Sequence, residues 1–328
     1  MITPVVDRLM CMAQQPHDME DYQSGLVPRW CVGCGDNAIL TAVQRLCRDE
    51  QLDPARTVFV SGIGCSSRLP HYMGTYGFHG LHGRALPIAE GVKMSRPDLP
   101  VFVSTGDGDS LSIGAGHWIH AIRYNMDLTV LLHDNRIYGL TKKQASPTSP
   151  LGTKSNTTPK GSYLEALDPV SIALGVTNVS FVAQAVDWIP DVLYQIVAAA
   201  YRHKGFSFVR IIQRCPEFMP GAFDAYVQDP ERTVILQHPN GITLGSALAR
   251  VYKNVRGHDP SDLAAARGLT PSTDGTIPVG IFYRNDDVPC YEDVRGAGRL
   301  RTVEEIRKGL DAELDRFTIG PDPAAAAR

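Results

Sequence analysis

Four cysteines stand where sulfur could hold a metal: Cys31 and Cys34 in Trp-Cys-Val-Gly-Cys-Gly, then Cys65 and Cys215, each alone. A Cys-x-x-Cys pair completed by two distant thiolates is a common way of holding a [4Fe–4S] cluster. A second constellation offers oxygen. Asp107 lies in Gly106-Asp107-Gly108-Asp109, and Asn135 in Asp134-Asn135-Arg136-Ile137-Tyr138-Gly139, 28 positions later. One carboxylate, one amide oxygen and the backbone carbonyl of Ile137 suit Mg²⁺, which takes oxygen ligands and shares them with phosphates. Gly106 and Gly108 let the backbone approach a diphosphate, and the N-terminus of a following helix adds amides and positive dipole. Iron–sulfur beside a metal–diphosphate site points to electrons leaving a bound organic cofactor one at a time.

These residues meet only if the chain aligns them. Thr57–Ser61, Val101–Thr105, Leu128–His133 and Phe206–Gln213 are short β-branched runs that read as strands. Behind Asp36 as a cap, Ile39, Leu40, Val43, Leu46 and Cys47 recur at helical spacing; Ser112–Tyr124 and Ile189–His203 are helical too. The alternation predicts an α/β fold, a parallel sheet with helices on both faces. Ligands of such sheets bind outside the carboxyl ends of the strands. Asp107, Asn135, Cys65 and Cys215 each follow one of the four strands, so they should share one sheet edge. The Cys31–Cys34 loop should pack beside it, with the Gly33 and Gly35 amides free to bond cluster sulfides.

Residues 1–30 read as an irregular arm, 31–220 as the α/β domain with the cysteine ligands, and 221–328 as a C-terminal extension. That extension should pack on the domain or on a partner; Val303–Phe317 is its clearest helix and Pro321–Arg328 a frayed tail. Residues 139–161, polar and carrying Lys142 and Lys143, form a loop too long for a plain connector, which favours a functional one.

Composition narrows the function classes. A net charge of -3 and a pI near 6.4 leave no footprint for nucleic acid. No apolar run is long enough for a membrane span, and the first residues lack a secretory pattern. Seven cysteines without such a signal suit reduced thiols in the cytoplasm. Structural zinc and a Cys31–Cys34 disulfide remain open as competitors to the cluster, although zinc usually takes two tight pairs and the disulfide leaves Cys65 and Cys215 unused. Cys11, Cys47 and Cys290 read as ordinary buried thiols.

Gly106-Asp107-Gly108 with Asn135 resembles the signature of thiamine diphosphate enzymes. The wider pattern resembles the β subunit of 2-oxoacid:ferredoxin oxidoreductases, specifically the 2-oxoglutarate type. Its carriers are Trp30-Cys31-Val32-Gly33-Cys34-Gly35, Ile63-Gly64-Cys65-Ser66-Ser67-Arg68, Gly80-Leu81-His82-Gly83-Arg84-Ala85, and Gly139-Leu140-Thr141-Lys142 followed by Gln144-Ala145-Ser146-Pro147-Thr148. The likeness runs from about residue 25 to 220, more weakly near Pro278–Asn285; Val32 departs from the family's usual proline.

The resemblance implies a thiamine diphosphate-binding fold of the phosphate-binding type. Ile63, Gly64, Cys65 and Ser66 would line the cofactor, His82 would reach its diphosphate region, and Gly108, Asp109, Gly139 and Leu140 would complete the cradle. Mg²⁺ would sit on Asp107, Asn135 and the Ile137 carbonyl, and one [4Fe–4S] cluster on Cys31, Cys34, Cys65 and Cys215. A separate α subunit would supply the pyrimidine-binding domain and its glutamate, in an (αβ)₂ heterotetramer. The implied reaction is reversible oxidative decarboxylation of 2-oxoglutarate with coenzyme A, giving succinyl-CoA and CO₂, with electrons passed through the cluster to ferredoxin.

Arg68, three residues after Cys65, would pair with the distal carboxylate that pyruvate lacks. Lys142 and Lys143 read as loop charges or as facing coenzyme A, and Glu90 as solvated or capping. His71, His79, His117, His120 and His133 are assigned no catalytic part. Three other readings stay open: action on pyruvate or broad 2-oxoacids, a non-redox decarboxylase or synthase, and a zinc-stabilised binding protein.

Overall fold

Parallel strands covered on both faces are apolar almost throughout, and the runs in this chain are of that kind. The computed structural model describes residues 16–272, 274–296 and 302–317. Its strands are β1 (Val58–Ser61), β2 (Tyr76–His79), β3 (Val101–Gly106), β4 (Leu128–Asp134), β5 (Ile137–Tyr138), β6 (Gln144–Ala145), β7 (Phe181–Val186), β8 (Phe206–Ile212), β9 (Thr233–Gln237), β10 (Val255–Gly257) and β11 (Ile277–Arg284). Nine of them form one sheet in the order β10-β9-β11-β7-β8-β4-β3-β1-β2, and β5 and β6 make a small hairpin. Only the β7–β11 pair of that sheet is antiparallel.

Helices cover both faces. α1 (Asp36–Asp49) precedes β1, and α2 (Ala85–Ser95), α3 (Ala115–Tyr124), α4 (Pro169–Gly175) and α5 (Pro190–Arg202) follow in chain order. Ile39, Val43 and Leu46 of α1 and Val192, Leu193 and Ile196 of α5 pack with Phe59, Phe102, Leu131 and Val209. A residue adjacent to each of these in its strand points the other way. Val60, Val103, Leu132 and Phe208 meet Leu86 of α2, Trp118 and Ile122 of α3, and Val170 and Leu174 of α4. Each large apolar side chain so buried contributes about 1.5–3 kcal/mol, which locks the strand register.

That register levels the functional ends. Ser61 lies opposite Ser104, Gly106 opposite His133, and Asp134 opposite Ile212. The carboxyl ends of β1, β3, β4 and β8 therefore form one edge, and residues 62–65, 107–109, 135–137 and 213–215 emerge from it together. No described helix is long and apolar enough to cross a membrane.

Three local expectations change. Asp36 does not cap α1: Gly35 holds that position, and Asp36 is fully buried with its carboxylate 2.7 Å from His133 Nδ1. The first-turn amides of Asn37 and Ala38 bond to the Cys34 and Gly35 carbonyls instead, which leaves the Asp36 side chain for the buried ring. The helix expected from Ser112 begins earlier, as a π-helical turn over Asp109–Ile113, and α3 starts only after Gly114. A π turn of this kind often marks a functional site. Finally, residues past 221 do not stand apart from the domain, because β9, β10 and β11 extend its sheet. A helix over Val303–Arg316 closes the described part; residues 1–15 of the N-terminal arm, with Cys11, and the Pro321–Arg328 tail lie outside it.

Candidate functional site

The level edge opens into a cavity of about 190 Å³. Its wall contains Ile63, Gly64, Cys65 and Ser66 after β1, His82 before α2, Asp107, Gly108 and Asp109 after β3, and Asn135, Ile137, Gly139 and Leu140 after β4. The oxygen donors and Cys65, far apart in the chain, thus face one space. Ligand pockets usually run to about 300–1,000 Å³, so this is the size of part of a cofactor site.

Gly108 is required by close approach: a Cβ there would lie 2.1 Å from Cε1 of Tyr138, whose hydroxyl donates to the Gly108 carbonyl at 3.0 Å. Tyr138 is a wall residue that no sequence motif singles out.

The metal donors are held from behind. Asp107 is buried, and its Oδ2 accepts from Ser146 Oγ at 2.5 Å and Thr148 Oγ1 at 2.6 Å. Thr148 also touches Asp134 Oδ1 at 2.8 Å, and Arg210 pairs with Asp134 Oδ2 at 2.6 Å. Burial and the nearby Asp134 carboxylate push the Asp107 acid above its ordinary range, against the pull of the two hydroxyls. A divalent cation relieves that penalty, so the donor set fits Mg²⁺.

Ser146 and Thr148 explain the long polar loop. The β5–β6 hairpin folds it back under the strand ends, leaving Lys142 and Lys143 exposed. Their motif is visible in the sequence, but a hydroxyl aimed at Asp107 has no local signature.

Asp109, a wall residue of the cavity, is also a hydrogen-bond hub. Its Oδ1 accepts from Ile63 N at 3.1 Å, Gly83 N at 2.7 Å and His82 Nδ1 at 2.6 Å, while Thr105 Oγ1 donates to Oδ2 at 2.8 Å. One buried carboxylate therefore ties three loops of the cavity together. Because His82 commits Nδ1 to Asp109, its Nε2 is the nitrogen left for the cavity. Buried Ser66 Oγ, also on the wall, has no hydrogen-bond partner.

The four thiols come from segments stitched to one another. Trp30 Nε1 donates to the Cys65 carbonyl at 2.7 Å, and Gly35 N donates to the Arg214 carbonyl at 3.1 Å. The second bond corrects one expectation: the Gly35 amide is already used and is not free for a sulfide. Cys65 and Cys215 flank Gly139, where a Cβ would lie 3.4 and 3.9 Å from their sulfurs. Cys31 is exposed and Cys34 half-buried, with Gln213 Nε2 at 3.2 Å from the Cys34 sulfur.

Burial, then Asp36 and Cys215, push the Cys65 thiol up to about 12, and Arg68 opposes them. Cys34 rises through burial, Asp36 and Cys215. Cys215 rises mainly through burial, while the amides of Phe218, Met219 and Glu217 favour its thiolate. Thiols that burden one another electrostatically are neighbours, and iron would reverse the penalty. Among the described residues no three His, Cys, Asp or Glu side chains converge as they would on one ion. Ligands of a four-iron cube stand at its corners, farther apart than donors around a single ion. Cys47 and Cys290 are core thiols.

Arg68 lies in a second cavity, about 580 Å³, which shares Gly64 and Leu140 with the first. Its Nη1 donates to the Arg29 carbonyl at 3.2 Å. His71 and His79 join this wall, His133 lines the first cavity, and His120 is exposed on α3. Glu90 lies in the middle of α2 and caps nothing. It is half-buried, its Oε1 lacks a partner, and burial pushes its pKa up to about 7.

Comparison with known proteins adds a second line of observation. Residues 62–211 match the family model of the thiamine pyrophosphate enzyme C-terminal TPP-binding domain, and residues 248–297 that of the C-terminal part of the pyruvate ferredoxin oxidoreductase β subunit. The chain is 47% identical over 234 residues to 2-oxoglutarate oxidoreductase subunit KorB of Mycobacterium tuberculosis, a match covering 71% of this chain and 62% of that one. It is 37% identical over 280 residues to the β subunit of 2-oxoacid:ferredoxin oxidoreductase 1 of Aeropyrum pernix, covering 83% and 82%. Among solved structures, 2-oxoglutarate:ferredoxin oxidoreductase of Magnetococcus marinus, with 2-oxoglutarate, coenzyme A and succinyl-CoA bound, aligns at a TM-score of 0.76 and 33% identity. That alignment covers 95% of this chain and 96% of the other.

Proposed function

This chain belongs to the family of 2-oxoacid:ferredoxin oxidoreductase β subunits, and on that premise we propose that it is the thiamine diphosphate-binding subunit of a 2-oxoglutarate:ferredoxin oxidoreductase. The reaction is 2-oxoglutarate plus coenzyme A to succinyl-CoA and CO₂, with two electrons leaving through a [4Fe–4S] cluster to ferredoxin. In an (αβ)₂ assembly, the cofactor site is closed by a partner α subunit. Free thiols at all six described cysteines suit the reducing cytoplasm.

One observation carries the reading: Cys65 borders the same cavity as Asp107 and Asn135. When bound, thiamine diphosphate supplies the carbanion that adds to the keto carbon and takes up the electrons left when CO₂ departs. The chain's own residues do the rest. Asp107, Asn135 and the Ile137 carbonyl would hold Mg²⁺, and Ser146 and Thr148 fix the Asp107 carboxylate. Asp109 holds His82 with its other nitrogen left for the cavity. Cys31, Cys34, Cys65 and Cys215 would hold the cluster, which would accept the electrons. Arg68, half-buried at the mouth, takes the distal carboxylate, a charge-assisted pair that pyruvate cannot make.

Anaerobic purification with the partner subunit tests the proposal. A brown protein containing iron, sulfide and thiamine diphosphate, bleached by dithionite and reducing ferredoxin with 2-oxoglutarate and coenzyme A, is the expected outcome. A colourless protein that binds thiamine diphosphate makes this a non-redox enzyme, and zinc in place of iron removes the redox role altogether. Arg68→Ala should raise KM for 2-oxoglutarate far more than for pyruvate; equal losses remove the carboxylate contact.

A further inference from the structure

The cavity around Arg68 contains a second polar group that the proposed function leaves unused. Ser66–Tyr72 folds as a 3₁₀ helix, in which residues three apart eclipse one another. Arg68 and His71 therefore share a face, and both line the 580 Å³ cavity. His79, at the end of β2, packs against His71 at a tilt of 41°, with ring centroids 5.0 Å apart. His79 is itself pinned, because its Nδ1 donates to the Ser67 carbonyl at 2.8 Å. The His71 ring has no hydrogen-bond partner among the described residues, so either nitrogen can turn a proton toward the cavity. Arg29 adds a further cation to the wall, and no carboxylate lines it among the described residues.

We propose that His71 donates a second hydrogen bond, beside Arg68, to the distal carboxylate of a dicarboxylic 2-oxoacid, and that His79 positions the His71 ring. The inference rests on the assignment of Arg68 to that carboxylate. It adds His71 as a specificity determinant and His79 as a positioning residue. A carboxylate has two oxygens and takes donors from two directions, so a guanidinium and an imidazole on one helix face grip it more selectively than either alone. A monoacid of equal length makes neither of these charge-assisted bonds, which is the source of the discrimination.

The test uses the complex with its partner subunit, loaded with thiamine diphosphate. Glutarate serves as probe, since it has the diacid length and no keto group to react. His71→Phe should weaken glutarate binding about ten-fold in calorimetry, the loss of one charge-assisted hydrogen bond. It should raise KM for 2-oxoglutarate similarly, and leave kcat and the KM for 2-oxopentanoate within about two-fold. His71→Gln, which keeps an N–H donor, should recover most of the loss.

Equal losses for diacid and monoacid, or glutarate binding unchanged in His71→Phe while Arg68→Ala abolishes it, overturn the role of His71 and spare that of Arg68. Glutarate binding unchanged in Arg68→Ala instead overturns the reading beneath both.

Discussion

Replacing Asp109 separates a cofactor contact from a structural hub. Three of its four hydrogen bonds end on Oδ1, from Ile63 N, Gly83 N and His82 Nδ1; only Thr105 Oγ1 uses Oδ2. Asp109→Ala strands two backbone amides, a ring nitrogen and a hydroxyl in an interior where the residue is 2% exposed. Hydrogen bonds to a charged group contribute about 1.5–3 kcal/mol each, but such losses do not add. Removing one partner from a buried charged network costs about 3–5 kcal/mol. At roughly 2 °C per kcal/mol for a chain of this size, the complex should melt about 6–10 °C lower.

Asp109→Asn behaves differently. Its amide oxygen keeps the three Oδ1 bonds, and its N–H₂ can donate to the Thr105 hydroxyl. The expected loss is under about half that of the alanine variant, with thiamine diphosphate affinity nearly unchanged. Differential scanning calorimetry and cofactor titration of the complex read both quantities. If Asp109→Asn melts as low as Asp109→Ala, the hub argument fails. If it keeps its melting temperature and loses the cofactor, Asp109 is a direct cofactor contact.

Three further outcomes follow from the same geometry. Asp107→Ala should abolish Mg²⁺-dependent thiamine diphosphate binding and leave iron content intact, since Asp107 faces hydroxyls and not sulfur; unchanged cofactor affinity would refute the metal assignment. Cys215→Ser should lose iron and the visible absorbance, and full iron retention would remove Cys215 from the ligand set. Glu90, pushed by burial from an ordinary 4.5 up to about 7, is held neutral by the fold, so its contribution is complete below pH 4.5 and is lost as pH rises toward 7. Glu90→Gln should accordingly stabilise the complex at pH 8 and converge on the parent below pH 4.5; a melting difference that does not vary with pH would contradict the burial argument.

The parts of the site that could be read ahead of the structure share one property: they are local. Strand ends are visible where β-branched runs give way to glycine or polar residues, so the edge bearing Cys65, Asp107, Asn135 and Cys215 follows from alternation and chain direction. What stayed hidden depends on distant pairing. Asp36 looks like a cap because caps have the same composition; its partner His133 is 97 positions away. Ser146 and Thr148 reach Asp107 across 39 and 41 positions through a hairpin of two-residue strands, too short to announce itself. β7 follows a turn at Asn178, but Ala183, Gln184 and Ala185 dilute its β-branched residues, so it does not stand out as a strand as its neighbours do. The strands after residue 221 add to an edge already formed, and which edge accepts them is settled by burial of Ile235, Val279 and Ile281 against α5 rather than by any motif.

The electrostatics of this edge point in one direction. Asp36 opposes ionisation of Cys34 and Cys65, Cys215 opposes it in both, and Asp134 opposes it in Asp107; burial reinforces every case. The nearby arginines are largely committed, Arg210 to Asp134 and Arg214 to Asp187 at 3.1 Å. A fold that gathers more acids and thiols than its nearby cations can pair gains most from metal ions, because an ion binds only the assembled arrangement and its binding free energy becomes folding free energy. Cys65 belongs to the thiol group and to the cavity of Asp107 alike, so the two proposed metal centres share a wall at Gly139. Loading one therefore organises a surface of the other, which makes the neighbourhood of iron and cofactor a consequence of strand order rather than of any single contact.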